Sequence, residues 1–593
     1  MKIHFPILFL VAVAQVVTGG GVPSKEMNAA VEEQLLLQQI ASLKAQTELS
    51  GISSSVIDPK CGTHVLQSLI RHGETLSPEV KEVLSDLGVD FKRRIAAFAR
   101  PSGLAQTYDS GIFRFHFTLA GRDSVSSEDG DMDGVPDYIN MMAQVFNQVA
   151  ENHITRTGFI RPPSDSWYAD NGGSAAYDIY VSQLGPSLFG YTQMEYEASS
   201  GSGDNEFSAA EEINAATSYI AMRNNYHNFT LSEEENIQVT AAHELLHAIQ
   251  FGYDGWEAIW MLEATAVWIE DEVFDDINDN YQYLKDWLDE PHISLNKDRA
   301  PHWYGSWIFF RYLSEHIGGP STVRKILEQS VRHNSFEGDF SIRTIDEALL
   351  SVGSSFSDAL NRMVIANHLL TSEASAGIYA YEEGDAYRQY GILPRLERSV
   401  AIMGSDYIIE YDSGQLMHNA AHYIELTAGE GPLEVSFTPG NETVSFQTSG
   451  TVREDDGTVT VQPVDFNAIL SIPAVGQSVV LAVVTDTTED ADYSYSIKLN
   501  PEVPLPSAIT LYQNFPNPFN TETTFRFFLP VWENVSLSVF DIGGRKVSNI
   551  PLPQVRQGFN DASFEAYDLA SGIYVVRLKG EVKSIAKKIT LIK

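Results

Sequence analysis

Between Ser232 and Glu272 the chain carries two histidines four residues apart, His243 and His247. Residues at that spacing share one face of a helix, so both imidazoles can reach a single metal ion. Glu244 stands beside the first histidine, and Glu263 follows sixteen residues after the second. Two histidines, a carboxylate from elsewhere and a glutamate base form the donor set of a hydrolytic zinc site. The local sequence supports the helix. Ser232-Glu233-Glu234-Glu235 reads as a capping box with Ser232 at the N-cap, and Gly252 fits the position just past the helix end. From Trp256 to Asp271, Ile259, Leu262, Ala266 and Ile269 recur at helical spacing and define a second helix. A lone carboxylate at Glu263 among those apolar neighbours is costly, and a metal would remove the cost. Glu257, Glu270 and Asp271 are its competitors for the third ligand position.

His243-Glu244-x-x-His247 followed by Trp260-x-x-Glu263-Ala264-Thr265-Ala266 resembles the gluzincin metallopeptidases, which include the thermolysin-like and M1-type aminopeptidase families. It is closer still to a group of secreted bacterial metalloproteases with the same His-Glu-x-x-His-Ala-Ile-Gln run. The resemblance covers the middle half of the chain. It implies a thermolysin-like (zincin) catalytic domain, zinc held by His243, His247 and Glu263, and Glu244 as general base. Two departures stand out. The gap from His247 to Glu263 is shorter than in thermolysin by about one helical turn. The carboxylate expected four residues after Glu263 is Val267, so the residue that orients a ligand histidine has no assignment.

At 593 residues the chain exceeds one hydrophobic core, and its class is multidomain α+β. A net charge of −40 argues against nucleic acid, whose phosphates need basic partners. Residues 1–21 read as a secretory signal: Lys2, an apolar run from Phe5 to Val17, then Thr18-Gly19-Gly20-Gly21. No segment is long enough for a transmembrane helix. The single cysteine, Cys61, excludes an intramolecular disulfide.

Residues 22–103 are helical in pattern and propeptide-like. Asp58-Pro59-Lys60-Cys61-Gly62 resembles the Pro-Arg-Cys-Gly cysteine switch of matrix metalloprotease propeptides. The resemblance implies a zymogen in which Cys61 fills the open zinc position; the plainer reading is an isolated buried thiol. Residues 104–395 form the expected metalloprotease domain. Phe113–Leu119, Ala176–Val181 and Ser218–Met222 alternate like strands. Asp129, Asp131, Asp133 and Asp137, with Gly134 at the sixth position and the Val135 carbonyl at the seventh, follow a calcium-loop pattern. The twelfth position, normally Glu, is Asn140. An apolar helix starts near Ala300-Pro301-His302-Trp303-Tyr304-Gly305 and ends at Gly318-Gly319-Pro320. A gluzincin needs an oxyanion donor there, and both His302 and Tyr304 are candidates.

Residues 396–500 change texture to short alternating stretches, a β-sandwich. A proline-rich linker, 501–508, leads to residues 509–593. That segment carries Asn514-Phe515-Pro516-Asn517-Pro518-Phe519-Asn520, Asp541-Ile542-Gly543-Gly544-Arg545 and Ser571-Gly572-Ile573-Tyr574. It resembles the Ig-like C-terminal sorting domain of type IX secretion cargo in Gram-negative bacteria of the Bacteroidetes kind. The resemblance implies the type IX machinery as a partner and a secreted or surface location. The expected function is a secreted zinc endopeptidase, with Zn2+ in the site and structural Ca2+, acting on protein or peptide substrates. The alternatives are an aminopeptidase or other exopeptidase on the same scaffold, and a calcium-stabilised surface adhesin without catalysis.

Overall fold

The structure, a computed structural model, describes residues 33, 35–37, 39–40 and 61–592. Excepted are 92–94, 96–97, 212, 391–392, 403–406, 413–414, 428–430, 454–458, 465–467, 473–477, 487–488, 490, 502–505, 515–516, 518, 520–521 and 553–554. The expected export signal, Asp58-Pro59-Lys60 and residues 502–505 of the linker lie outside the described residues. The fold is mixed α and β, in two compact units, Met1–Trp256 and Glu257–Lys593.

In the first unit, β1 (Gln106–Ser110), β2 (Phe113–Phe117), β3 (Tyr177–Ser182), β4 (Gly190–Glu197) and β5 (Ala216–Arg223) form a sheet of order β1-β2-β3-β5-β4. The middle strands β2, β3 and β5 run parallel, while β1 and β4 are antiparallel edges. Parallel strands need cover on both faces, and helices supply it: α1 (Thr63–His72), α2 (Pro78–Asp86), α3 (Asp137–Ala150) and α4 (Glu233–Asp254). Phe146 of α3 packs edge-on against Phe113 and Phe115, and α4 lies on β4 and β5. On the opposite face, Val65, Leu66, Leu69 and Leu84 of α1 and α2 share a core with Tyr180, Tyr191, Tyr219 and Ala221.

Helix α4 opens on a full capping box: the Glu235 N–H donates to Ser232 Oγ at 3.2 Å, and the Ser232 N–H donates to Glu235 Oε2 at 2.8 Å. Gly252, expected at the helix end, lies inside the helix, which continues to Asp254. Its requirement is close packing: a Cβ there would sit 2.8 Å from Ile160 Cδ1 and 3.0 Å from Pro163 Cδ. A second buried feature is ionic. The Arg100 guanidinium meets the carboxylates of Asp165, Asp178 and Glu195, and His116 Nε2 lies 2.7 Å from Asp178 Oδ1. Burial pushes the Glu195 carboxyl up to about 7 despite its bond to Arg100.

The second unit opens with α5 (Ile259–Val273), expected at Trp256–Asp271, and continues with α6 (Trp307–His316), α7 (Pro320–Ser330), α8 (Ser341–Leu350) and α9 (Phe356–Leu369). Helix α5 is buried nearly all round, with Trp260 and Trp268 fully enclosed. Arg311 of α6 lies 3.2 Å from Asp271 and 2.7 Å from Glu315. Strands between Arg398 and Pro501 then form a five-stranded and a four-stranded sheet around one apolar core that includes Ile424, Val435, Leu481 and Ile497. Strands from Thr510 to Leu591 form a three-stranded and a four-stranded sheet around a second core with Phe525, Phe527, Val539 and Val576. No helix of the described residues is long and apolar enough to cross a membrane.

Candidate metal and hydrolytic site

Helix α4 places His243 and His247 one turn apart on the same face, their rings 4.7 Å apart and nearly perpendicular. Both are buried. Cys61, immediately before the N-cap of α1, brings its Sγ to 3.7 Å from His247 Nε2. One ligand atom from each of Cys61, His243 and His247 lies within 4.8 Å of the others. The donor set of two imidazoles and a thiol suits zinc, which takes nitrogen and sulfur ligands. A helix N-terminus favours negative charge, and the Thr63 N–H donates to Cys61 Sγ at 3.3 Å; both stabilise a thiolate.

His247 has an orienting partner that the motif does not announce. Its Nδ1 lies 2.8 Å from Gln250 Oε1, one helical turn along α4. An amide oxygen only accepts, so Nδ1 carries the proton and Nε2 turns its lone pair towards Cys61. The signal was in the spacing: His and Gln at i and i+3 are helix neighbours.

Glu244 is buried on the same helix, and its Oε2 accepts from Thr192 Oγ1 at 2.7 Å and from Thr63 Oγ1 at 3.0 Å. Thr192 belongs to the edge strand β4. Side chains alternate along a strand, so Thr192 faces α4 while Tyr191 faces α1 and α2. Gly190 lets this edge approach α4, since a Cβ would lie 2.9 Å from Thr240 Cγ2 and 3.2 Å from Glu244 Cγ.

The acidic loop before α3 brings Asp129, Asp131 and Asp137 together, with oxygens within 4.8 Å of one another. Asp133 accepts instead from the Val135 N–H at 2.8 Å and from Asn140 Nδ2 at 3.0 Å. The loop backbone turns through Met132 and Gly134, with φ of 60° and 90°.

In the second unit Glu263 sits buried on α5. Among its competitors, Asp271 is engaged by Asn280 Nδ2 at 2.9 Å and by Arg311, and Glu257 Oε1 accepts from the Ala258 N–H at 2.8 Å. His302 is wholly buried, with Nδ1 2.9 Å from the Asp286 carbonyl and Nε2 3.0 Å from the Ser294 carbonyl. Burial lowers its pKa to about 4 against the two carbonyls, which favour the protonated ring, and the ring braces the chain. Tyr304 is nearly buried, its ring 5.1 Å from that of Tyr283.

A family model described as the secretion system C-terminal sorting domain matches residues 513–593. No curated protein matches the chain. The sorting domain marks a secreted or cell-surface protein of Bacteroidetes-type bacteria, one that engages the type IX secretion machinery.

Proposed function

We propose that the chain is a secreted zinc-dependent endopeptidase with a thermolysin-like catalytic domain. The observation that carries this reading is the buried face of α4, where His243 and His247 converge and Gln250 fixes the tautomer of His247. Glu263 is the third protein ligand: it follows at short range in the chain, and Asp271 is already committed to Arg311 and Asn280. When bound, zinc supplies Lewis acidity that polarises the scissile carbonyl and acidifies the attacking water. Glu244 takes the water proton at Oε2 and returns it to the leaving amine. The Thr192 hydroxyl, 2.7 Å from that oxygen, holds the carboxylate in place. Tyr304 donates to the oxyanion, because both ring nitrogens of His302 face backbone carbonyls. The Gly190–Thr192 edge of β4, outermost in its sheet, offers an incoming peptide a strand to pair with once the segment Cys61–Thr63 leaves it. Asp129, Asp131 and Asp137 hold a structural calcium ion that pins the loop before α3.

The test is Glu244→Gln in protein freed of residues 1–103, the export signal and the propeptide-like region, assayed on casein and on an end-blocked peptide, with bound zinc measured by mass spectrometry. Zinc stays at one per chain and hydrolysis falls by about 10²–10⁴-fold, the contribution of a general base. A variant that keeps full activity removes the mechanism.

A further inference from the structure

The segment Cys61-Gly62-Thr63 lies along the outer edge of β4 and touches both halves of the candidate chemistry. Cys61 forms a parallel bridge with Gly190, and the Gly62 N–H donates to the Gly190 carbonyl at 3.1 Å. One residue on, the Thr192 N–H donates to Thr63 Oγ1 at 2.8 Å. That same hydroxyl gives its proton to Glu244 Oε2 at 3.0 Å. Cys61, Thr63 and Glu244 are 4%, 1% and 1% exposed, so little water competes for these bonds.

Resting on the zinc-peptidase reading of this site, we propose that Cys61-Gly62-Thr63 is an internal stopper that acts at two points. Cys61 closes the metal position that substrate needs, its thiol proton passing to solvent. Thr63 independently weakens Glu244 as a base. Oε2 accepts the Thr63 hydroxyl proton at 3.0 Å and lies 2.7 Å from the Thr192 hydroxyl, whose single proton is shared with the Glu244 carbonyl at 2.9 Å. A hydroxyl proton already donated to Oε2 lowers its basicity and takes a lone pair that a water proton would otherwise use. Thr63 is fixed from both sides, since it accepts the Thr192 N–H with the oxygen whose proton it gives away. The Gly190 carbonyl and the Thr192 N–H, groups that an extended peptide would pair with, are taken by Gly62 and Thr63. A thiol switch alone predicts that losing Cys61 opens the site; the two-point stopper predicts that losing either contact leaves it mostly shut.

The experiment uses the full chain as wild type, Cys61→Ser, Thr63→Val and the double variant, with two readouts. Hydrolysis of an end-blocked peptide rises in the double variant by about tenfold or more over either single variant, because each single variant keeps one hydrogen-bonded or coordinated block. Alkylation of Cys61 by iodoacetamide reports on the segment without catalysis. After chelation, Thr63→Val is alkylated about tenfold faster than wild type, matching the loss of a hydrogen bond to a charged group. Cobalt loading gives a thiolate-to-metal absorption band in wild type and Thr63→Val, and none in Cys61→Ser. Unchanged alkylation in Thr63→Val overturns the threonine contact, whether or not the protein cleaves peptides. A cobalt-loaded wild type without the thiolate band overturns the cysteine contact. Cys61→Ser as active as the double variant overturns the two-point design. If all four proteins bind metal, show the expected band and alkylation pattern, and cleave nothing, the stopper stands and the peptidase reading fails.

Discussion

The two candidate metal clusters of the first unit are opposites in chemistry and in setting. Cys61, His243 and His247 bring sulfur and nitrogen together in a buried place, with no carboxylate among the three. Asp129, Asp131 and Asp137 bring three carboxylates together in an open loop, where like charges are tolerated by solvent screening and by backbone N–H donors. The first set fits a borderline-soft cation and the second a hard one. The buried set needs other side chains to orient it. The exposed set needs only a loop that turns sharply at Met132 and Gly134. On the proposed function, chemistry belongs to the first and local order to the second, and the two should respond separately to mutation.

A crossed pair of variants breaks this separation if it is false. His247→Ala should lower zinc affinity more than about a hundredfold, beyond the effect of losing an orienting partner alone, and leave the calcium response intact. Asp131→Ala should do the reverse. Metal content by mass spectrometry with each variant decides it, and loss of both metals from either variant ends the comparison.

Burial also distinguishes exposed from enclosed carboxylates. Glu195 sits in the Arg100 cluster with its pKa raised from 4.5 to about 7, mainly by burial. The folded state therefore holds a proton that the unfolded chain releases at lower pH. The stability linked to that proton is complete below about 4.5 and is lost as pH rises through about 7, a change on the order of a few kcal/mol. Urea midpoints of wild type at pH 5 and pH 8 should differ in that direction, and Glu195→Gln should flatten the difference. An equal slope in the variant means that another group is responsible.

Calcium gives the next effect. At a free concentration one hundred times its Kd, a ligand that binds only the folded state adds about 2.7 kcal/mol. Thermal unfolding of the wild type should shift upward with calcium, and that of Asp131→Ala should not. A calcium shift that survives in the variant removes Asp131 from the site.

How much of this was readable in advance depends on what each residue had to do. Helix α4 was legible because its capping box is a local signal and its histidines follow the helical period. Gly252 was misread because a glycine demanded by Ile160 and Pro163 looks, in sequence, like one that ends a helix. Strand β4 was missed entirely. Six of its eight residues are buried, so Gly190–Glu197 lacks the alternation that reveals a half-exposed strand. Missing β4 hid Thr192, and with it the contact to Glu244. Thr63 was hidden for a different reason: its partners lie 129 and 181 residues away, a separation that no local pattern encodes. In the acidic loop, the pattern grouped Asp133 with Asp129, Asp131 and Asp137, but Asp133 turns to Val135 and Asn140 instead of joining the other three.

The smallest effect tests whether the buried cluster depends on orientation as the comparison requires. Gln250→Leu keeps the size of the side chain and removes the acceptor for His247 Nδ1. Without it the imidazole is free to exchange tautomers, and the form protonated at Nε2 presents no lone pair beside Cys61. Zinc affinity should fall by about 10–100-fold, the usual cost of an orienting partner. The calcium-dependent shift should stay whole, because Gln250 belongs to α4 and not to the acidic loop. Gln250→Glu supplies a carboxylate acceptor at the same place and should recover most of the affinity. Competition with a zinc-selective indicator measures all three proteins. If Leu and Glu bind zinc equally well, then ring orientation comes from packing alone, and the contrast between an oriented buried site and a self-sufficient exposed loop disappears.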